Sequence, residues 1–215
     1  PAAAQNDEGL LIFYNFADGA EDASGNGNDG TLSDVTITDD EIFGKAGEFN
    51  GSSRVVMPVE PFTALNDYSF EAWINPSTLE TWSTLWSLAS DQKNYMNYTI
   101  TSNASGVKGG VSYSMEINDS ENRISAKNGV SPTVNTWNHI AFTQEGNIGR
   151  LYLNGQLVAE SNNDISLHKA ELVNKMATLA SLDGTNAYLG TGTVWGDPGF
   201  KGRIAEFKVY NKTLS

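Results

Sequence analysis

Short apolar segments recur along the whole chain, and each is closed off by a cluster of Gly, Asn or Asp. Eleven read as strands: Leu10–Phe16, Arg54–Met57, Tyr68–Ile74, Thr84–Leu88, Tyr95–Thr101, Val111–Ile117, Trp137–Gln144, Arg150–Leu153, Gln156–Glu160, Ala187–Leu189 and Arg203–Tyr210. Eleven such strands joined by short turns predict two packed antiparallel sheets. One hairpin can be placed to the residue. In Leu151-Tyr-Leu-Asn154-Gly155-Gln-Leu-Val158 an Asn-Gly pair joins two alternating runs, as a type I′ turn with two positive φ angles requires.

One stretch departs from this pattern. Between Asp164 and Gly184, apolar residues at Leu172, Val173, Met176, Leu179 and Ala180 have helical spacing, with Asp164 or Ser166 as caps and Gly184 as the stop. A single short helix between Ile165 and Leu182 is expected inside an all-β sandwich. No linker-like stretch or repeat divides the chain, so the expected organisation is a tail over 1–8 and one domain over 9–215. The chain starts at Pro1, and its first Met is Met57, so a longer or processed product is expected.

Composition removes several function classes. There is no Cys, hence no disulfide framework, zinc-thiolate cluster or thiol nucleophile. Thirteen basic against 26 acidic side chains give a net charge of −13, which repels phosphate backbones and argues against nucleic acid. No apolar run approaches the roughly 18–20 residues of a membrane span. A Cys-free, Asn- and Thr-rich acidic chain suits an exported bacterial protein, extracellular, periplasmic or at the cell surface.

Six landmarks in order resemble the LamG-like (concanavalin A-like) jelly-roll family. They are the opening strand Leu11–Phe16, the turn Asp22-Ala-Ser-Gly-Asn26-Gly-Asn28-Asp29-Gly30, and Gly44-Lys-Ala46-Gly-Glu-Phe49-Asn-Gly51. Tyr68-Ser-Phe70-Glu-Ala-Trp73-Ile74, the paired Trp137-Asn-His139-Ile-Ala141 and Leu151-Tyr152-Leu-Asn154-Gly155, and Gly202–Asn211 complete the set. The resemblance runs from about Gly9 to Leu214 and implies a two-sheet jelly roll. Glycines 25, 27, 30, 44, 47 and 51 are read as turn formers. Trp73 and Trp137, each among apolar neighbours, are read as core.

This fold also hosts glycoside hydrolases and polysaccharide lyases, so paired acids matter. A retaining hydrolase needs two carboxylates about 5–5.5 Å apart, and within one strand same-face acids would lie at even offsets. Glu116, Asp119 and Glu121 fall at offsets of three and five, and Asn118-Asp119-Ser120 reads as a turn. His139 and His168 have no nearby Ser/Asp partner, so no catalytic role is expected. Calcium is the second candidate. Asp22, Asn26, Asn28 and Asp29 crowd a glycine-rich turn that either ligates a hard cation or serves its own backbone. The resemblance implies that this turn lies near an Asp-Glu pair of the closing strand, here Ala205-Glu206. Glu206 therefore joins Asp22, Asn26 and Asn28 as an expected Ca²⁺ ligand, with one carboxylate missing.

Aromatics that the core does not require form the third candidate. By alternation Trp82 and Trp86 share one face, Tyr95 and Tyr98 fall in the next strand and Tyr113 in the one after. Trp195 sits in the loop Gly192–Gly199. Sugars lie with their C–H faces on such rings while amides and hydroxyls read the polar edge. The expected function is non-catalytic binding of an oligo- or polysaccharide by an exported module, next to other domains and to polysaccharide utilisation. The alternative is an adhesion or spacer module that binds protein. Trp82 and Trp195 are expected to border one depression with Tyr95 or Tyr113 on its floor.

Overall fold

The computed structural model describes residues 8–103, 109–127, 129–162 and 171–215. Two antiparallel sheets stack face to face. The first runs in the order β13 (Gln156–Glu160), β12 (Ile148–Leu153), β11 (Asn138–Glu145), β6 (Tyr68–Pro76), β15 (Lys201–Tyr210), β4 (Gly44–Asn50) and β3 (Thr36–Asp40), with β1 (Leu10–Tyr14) also paired to β15. The second runs β10 (Ser120–Ser125), β9 (Gly110–Ile117), β8 (Asn94–Ser102), β7 (Thr84–Asp91), β14 (Asn186–Leu189), β5 (Arg54–Met57) and β2 (Thr31–Ser33). This is the expected jelly-roll sandwich, with eight strands in one sheet and seven in the other among the described residues. The Asn-Gly hairpin joins β12 to β13, with φ of 50° at Asn154 and 75° at Gly155.

Inward-facing aromatics from both sheets meet in the middle. Phe70 packs against Trp86 and Tyr98 with ring centroids 4.6 and 4.9 Å away, and Tyr113 stacks on Phe142 at 3.9 Å. The hydroxyls of Tyr68 and Tyr113 hydrogen-bond across the two sheets, so neither is left unpaired in the apolar layer.

Strand parity corrects the reading of Trp73. Phe70, Ala72 and Ile74 are fully buried, so Trp73, three residues from Phe70, must project from the opposite face. There it meets Phe43 at 5.6 Å and His139 at 5.1 Å and is only half-buried. Trp137 is likewise half-buried outside the core, between Phe43 at 4.8 Å and the Arg203 guanidinium at 5.3 Å. Apolar neighbours in sequence did not decide burial here: Trp73 alternates with buried strand neighbours, and Trp137 lies just before β11.

Two of the six glycines serve close approach rather than a turn. Gly47 lies inside β4, where a Cβ would come within 2.9 Å of the Phe16 ring. At Gly30 a Cβ would meet Val55 at 2.5 Å. Gly25, Gly27, Gly44 and Gly51 do adopt positive φ. The helix is also shorter than its pattern. Among the described residues of this stretch only Met176–Ala180 is helical (α1), while Leu172 fills the space above Gly149 and its amide donates to the Asn147 carbonyl. The N-cap residue, Lys175, offers no side-chain cap; Asn174 Oδ1, one residue earlier, accepts from the Met176 amide at 3.0 Å. The expected caps Asp164 and Ser166, together with Ile165, His168 and most of the 1–8 tail, lie outside the described residues.

The outer face of the first sheet carries an ion-pair network. Glu71 accepts from Tyr210 Oη and from His139 Nε2, both at 3.0 Å, with Lys208 Nζ at 3.8 Å. The His139 hydrogen bond, assisted by the nearby positive charges, holds the Glu71 carboxyl below its usual range despite partial burial. A depressed folded pKa contributes stability above the unfolded value, and that contribution is lost as pH falls through the folded one. Glu71→Gln should therefore cost about 1.5–3 kcal/mol in urea unfolding at pH 7. The difference from the parent chain should shrink on acidification below the ordinary Glu range; an equal difference at pH 3 would contradict this account.

Candidate functional site

Strand β8 is buried on both faces, although every second residue is polar. Met96, Tyr98 and Ile100 enter the core, while Tyr95, Asn97 and Thr99 point the other way. Register extends this outer row across four strands: Ser87 lies opposite Asn97, Asn97 opposite Ser114, and Ser114 opposite Arg123. Open sheet faces are normally solvated, so a buried polar row marks a covered, concave surface.

The loop between β14 and β15 closes one side. The Gly190 amide donates to Leu85 O, the Thr84 amide to Pro198 O, and Ser87 and Thr193 share a hydroxyl hydrogen bond of 3.0 Å. These anchors hold Trp195 at the rim, 40% exposed, with its ring edge-on to Tyr95 at 5.9 Å. Trp82 forms the opposite wall. Its backbone is in the left-handed region at φ 66°, where a bulky side chain is strained. It is held there by its amide to Thr101 O and by Thr84 Oγ1 to its own carbonyl. The Arg123 guanidinium lies 5.3 Å from its ring centre.

Between the two tryptophans lies a depression of about 200 Å³ with Tyr95, Asn97, Thr99 and Ser114 at its base and Arg123 and Asp197 at its sides. Asn97 Oδ1 and Thr99 Oγ1 are buried here with no hydrogen-bond partner in the protein. An unmet buried polar atom costs about 1–3 kcal/mol, so two in one small hollow need a reason. Burial, reinforced by the charges of Glu121 and Glu116, keeps the Tyr95 hydroxyl protonated far above its ordinary range. Burial raises the Asp197 pKa, and the Arg123 charge works against that rise. A larger depression of about 390 Å³ lies on the first sheet near Asp39, Glu48, Asn75 and Arg203. It has no exposed aromatic wall and none of the orphaned polar atoms, and so offers a ligand less.

Of the six aromatics read from the sequence, the fold brings Trp82, Tyr95 and Trp195 together. The other three are corrected. Trp86, Tyr98 and Tyr113 are fully buried in the inter-sheet core and present no surface to a ligand. For Tyr98 parity was decisive: an offset of three from Tyr95 sends it inward. Trp82 and Trp86 part for another reason. Trp82 precedes β7, and the β7–β8 register slips between Thr84 and Trp86, so simple alternation fails across the bulge. The sequence reading missed Asn97, Thr99, Ser114, Arg123 and Asp197. The polar-apolar alternation of β8 was the available signal for the first two. The β9–β10 turn, with positive φ at Asn118 and Asp119, also places Glu116 directly opposite Glu121. Offsets along one strand could not reveal that pair. Glu121 binds Arg123, and the charges of Glu121 and Glu116 act on the Tyr95 hydroxyl.

The acidic turn forms a network of its own. Asp22 Oδ1 accepts from the Phe13 and Ser24 amides, and Oδ2 from Ser24 Oγ and the Asn28 amide, all at 2.8–3.0 Å. Asn26 and Asn28 donate through their amides to the carbonyls of Leu10 and Leu11. Glu206 sits in a β15 bulge at φ 50° with Lys208 at 3.7 Å. So arranged, these groups do not fit a shell of six to eight oxygens around Ca²⁺. Melting in excess EDTA and again with added Ca²⁺ should give one midpoint. A rise with Ca²⁺, by mass action on the folded state, would restore the ion reading.

Solved structures share the fold at low identity. Domain 4 of AbnA, a GH43 extracellular arabinanase from Geobacillus stearothermophilus in complex with arabinotriose, is 22% identical with a TM-score of 0.71, over 96% of this chain and 94% of that one. The Ruminococcus gnavus IT-sialidase CBM40 bound to α2,3 sialyllactose is 16% identical with a TM-score of 0.55, over 86% and 91%. A botulinum neurotoxin type C structure, described as interacting with two ganglioside molecules, is 15% identical with a TM-score of 0.61, over 99% and 50%. No curated protein sequence matches significantly. The family model for the concanavalin A-like lectin/glucanases superfamily matches residues 49–215. With strands, sheet order and core all in agreement, the chain belongs to the concanavalin A-like lectin/glucanases superfamily.

Proposed function

We propose that the depression between Trp82 and Trp195 binds a glycan without catalysing its cleavage. The carrying observation is the pair of orphaned acceptors, Asn97 Oδ1 and Thr99 Oγ1, at the base of a hollow walled by two indoles. A sugar ring supplies the complement of that surface. Its C–H face covers an indole, while its hydroxyls face the polar base formed by Asn97, Thr99 and Ser114. At about 200 Å³ the hollow is smaller than the roughly 300–1,000 Å³ of drug-sized sites, so it takes one end or one unit of a longer chain. Glu121 is engaged by Arg123, which supports recognition rather than acid-base work.

The structural neighbours support the same class of ligand, since those proteins are described with arabinotriose, sialyllactose and gangliosides. We infer an exported module that acts beside a polysaccharide-degrading activity, as the arabinanase domain belongs to an extracellular enzyme. Titration with a glycan panel, followed by tryptophan fluorescence and calorimetry, tests the reading. Binding that perturbs the fluorescence supports it. A blank panel with a folded protein removes it in favour of an adhesion or spacer module.

A further inference from the structure

We propose that this depression selects neutral glycans and rejects units that carry a carboxylate, with Asp197 accepting hydroxyls of the bound sugar. The inference rests on the glycan reading above and concerns only which glycans enter.

The charges around the hollow carry it. Arg123 is the one cation lining it among the described residues, and it is already committed. Its Nε donates to Glu121 Oε1 at 2.6 Å, its Nη2 reaches the same oxygen, and its guanidinium carbon lies over the Trp82 ring. Its side chain is 16% exposed, so little of the guanidinium faces outward. Against this single positive charge stand Asp197 in the lining, Glu121 on the same strand and Glu116 opposite it. Within the lining Arg123 and Asp197 cancel, and Glu121 and Glu116 just outside it tip the surroundings negative, on a chain of net charge −13. A sialic or uronic acid entering here would bring a second anion close to Asp197 in a partly desolvated space, where like charges repel strongly. The same carboxylate is well matched to a neutral sugar, because an ionised oxygen accepts from two hydroxyls at once and such charge-assisted bonds are the stronger kind. The described residues donate no hydrogen bond to Asp197, and burial raises its pKa.

The test uses matched pairs that differ by one acidic unit. The protein is titrated calorimetrically with lactose and 3′-sialyllactose, and with neutral arabino-, xylo- and galacto-trioses against trigalacturonate. At least one neutral oligosaccharide should bind, and every acidic one should bind at least tenfold more weakly than its neutral counterpart. That gap should narrow between 0.02 and 0.5 M salt, while neutral binding stays level. Asp197→Asn should weaken neutral binding and also shrink the gap. Tighter binding of an acidic glycan than of its neutral partner overturns the selectivity and leaves glycan binding standing. A gap unmoved by both salt and Asp197→Asn also overturns the proposal, since rejection would then be steric. A blank from both sets removes the site itself.

Discussion

Replacing Trp86 by Ala should lower stability by about 3–5 kcal/mol, the usual cost of emptying a large aromatic position in a core. Trp86 is fully buried between the sheets, with Phe62, Phe70 and Phe207 at 5.9, 4.6 and 5.7 Å. Its removal leaves a cavity that three rigid rings cannot close. Trp86→Phe is the informative companion. The indole N–H has no partner in the protein, so the smaller ring also deletes an unmet donor. That variant should cost clearly less than the Ala variant, about 1.5 kcal/mol or below. Urea midpoints of the two proteins, measured with far-UV circular dichroism, check the order. Equal losses would mean that the N–H, not the ring, carries the position.

Trp195→Ala should behave in the opposite way. The ring is 40% exposed and meets Tyr95 edge-on, so folding stability should move by no more than about 0.5 kcal/mol. Glycan affinity should fall roughly 10- to 100-fold, which corresponds to the approximately 1.5–3 kcal/mol of burying a large aromatic surface. Trp82→Ala should weaken binding comparably, with a small stability loss as Arg123 loses its stacking partner. Fluorescence or calorimetric titration beside thermal melts separates the two effects. If both variants melt early and affinity is unchanged, the rings are structural, and the protein-binding alternative gains.

The contrast between these tryptophans shows which part of the site was legible in one dimension. Trp195 could be placed because its Gly-rich loop offers no alternation that would bury it. Tyr95 could be separated from Tyr98 by parity alone, once β8 is a strand. Trp82 and Trp86 could not be separated by that rule, because a bulge shifts the register between them. Glu116 and Glu121 look unrelated along the chain, yet a two-residue turn with left-handed Asn118 and Asp119 sets them face to face.

Local chemistry in the sequence determined the class of fold, its Asn154-Gly155 hairpin and the separation of strand from strand. Turn residues and the two-residue period act over a few positions and do not depend on the rest of the chain. Tertiary structure alone decided which sheet face became concave, and therefore whether each outward residue is solvated or sequestered. Asn97 and Thr99 are ordinary polar residues in sequence. They become unpartnered acceptors only because Trp82, Trp195 and the pinned loop close over a row assembled from four strands. Cross-strand register, bulges and the return of a loop from 100 residues away set that geometry, and none of these is encoded by the spacing of neighbours.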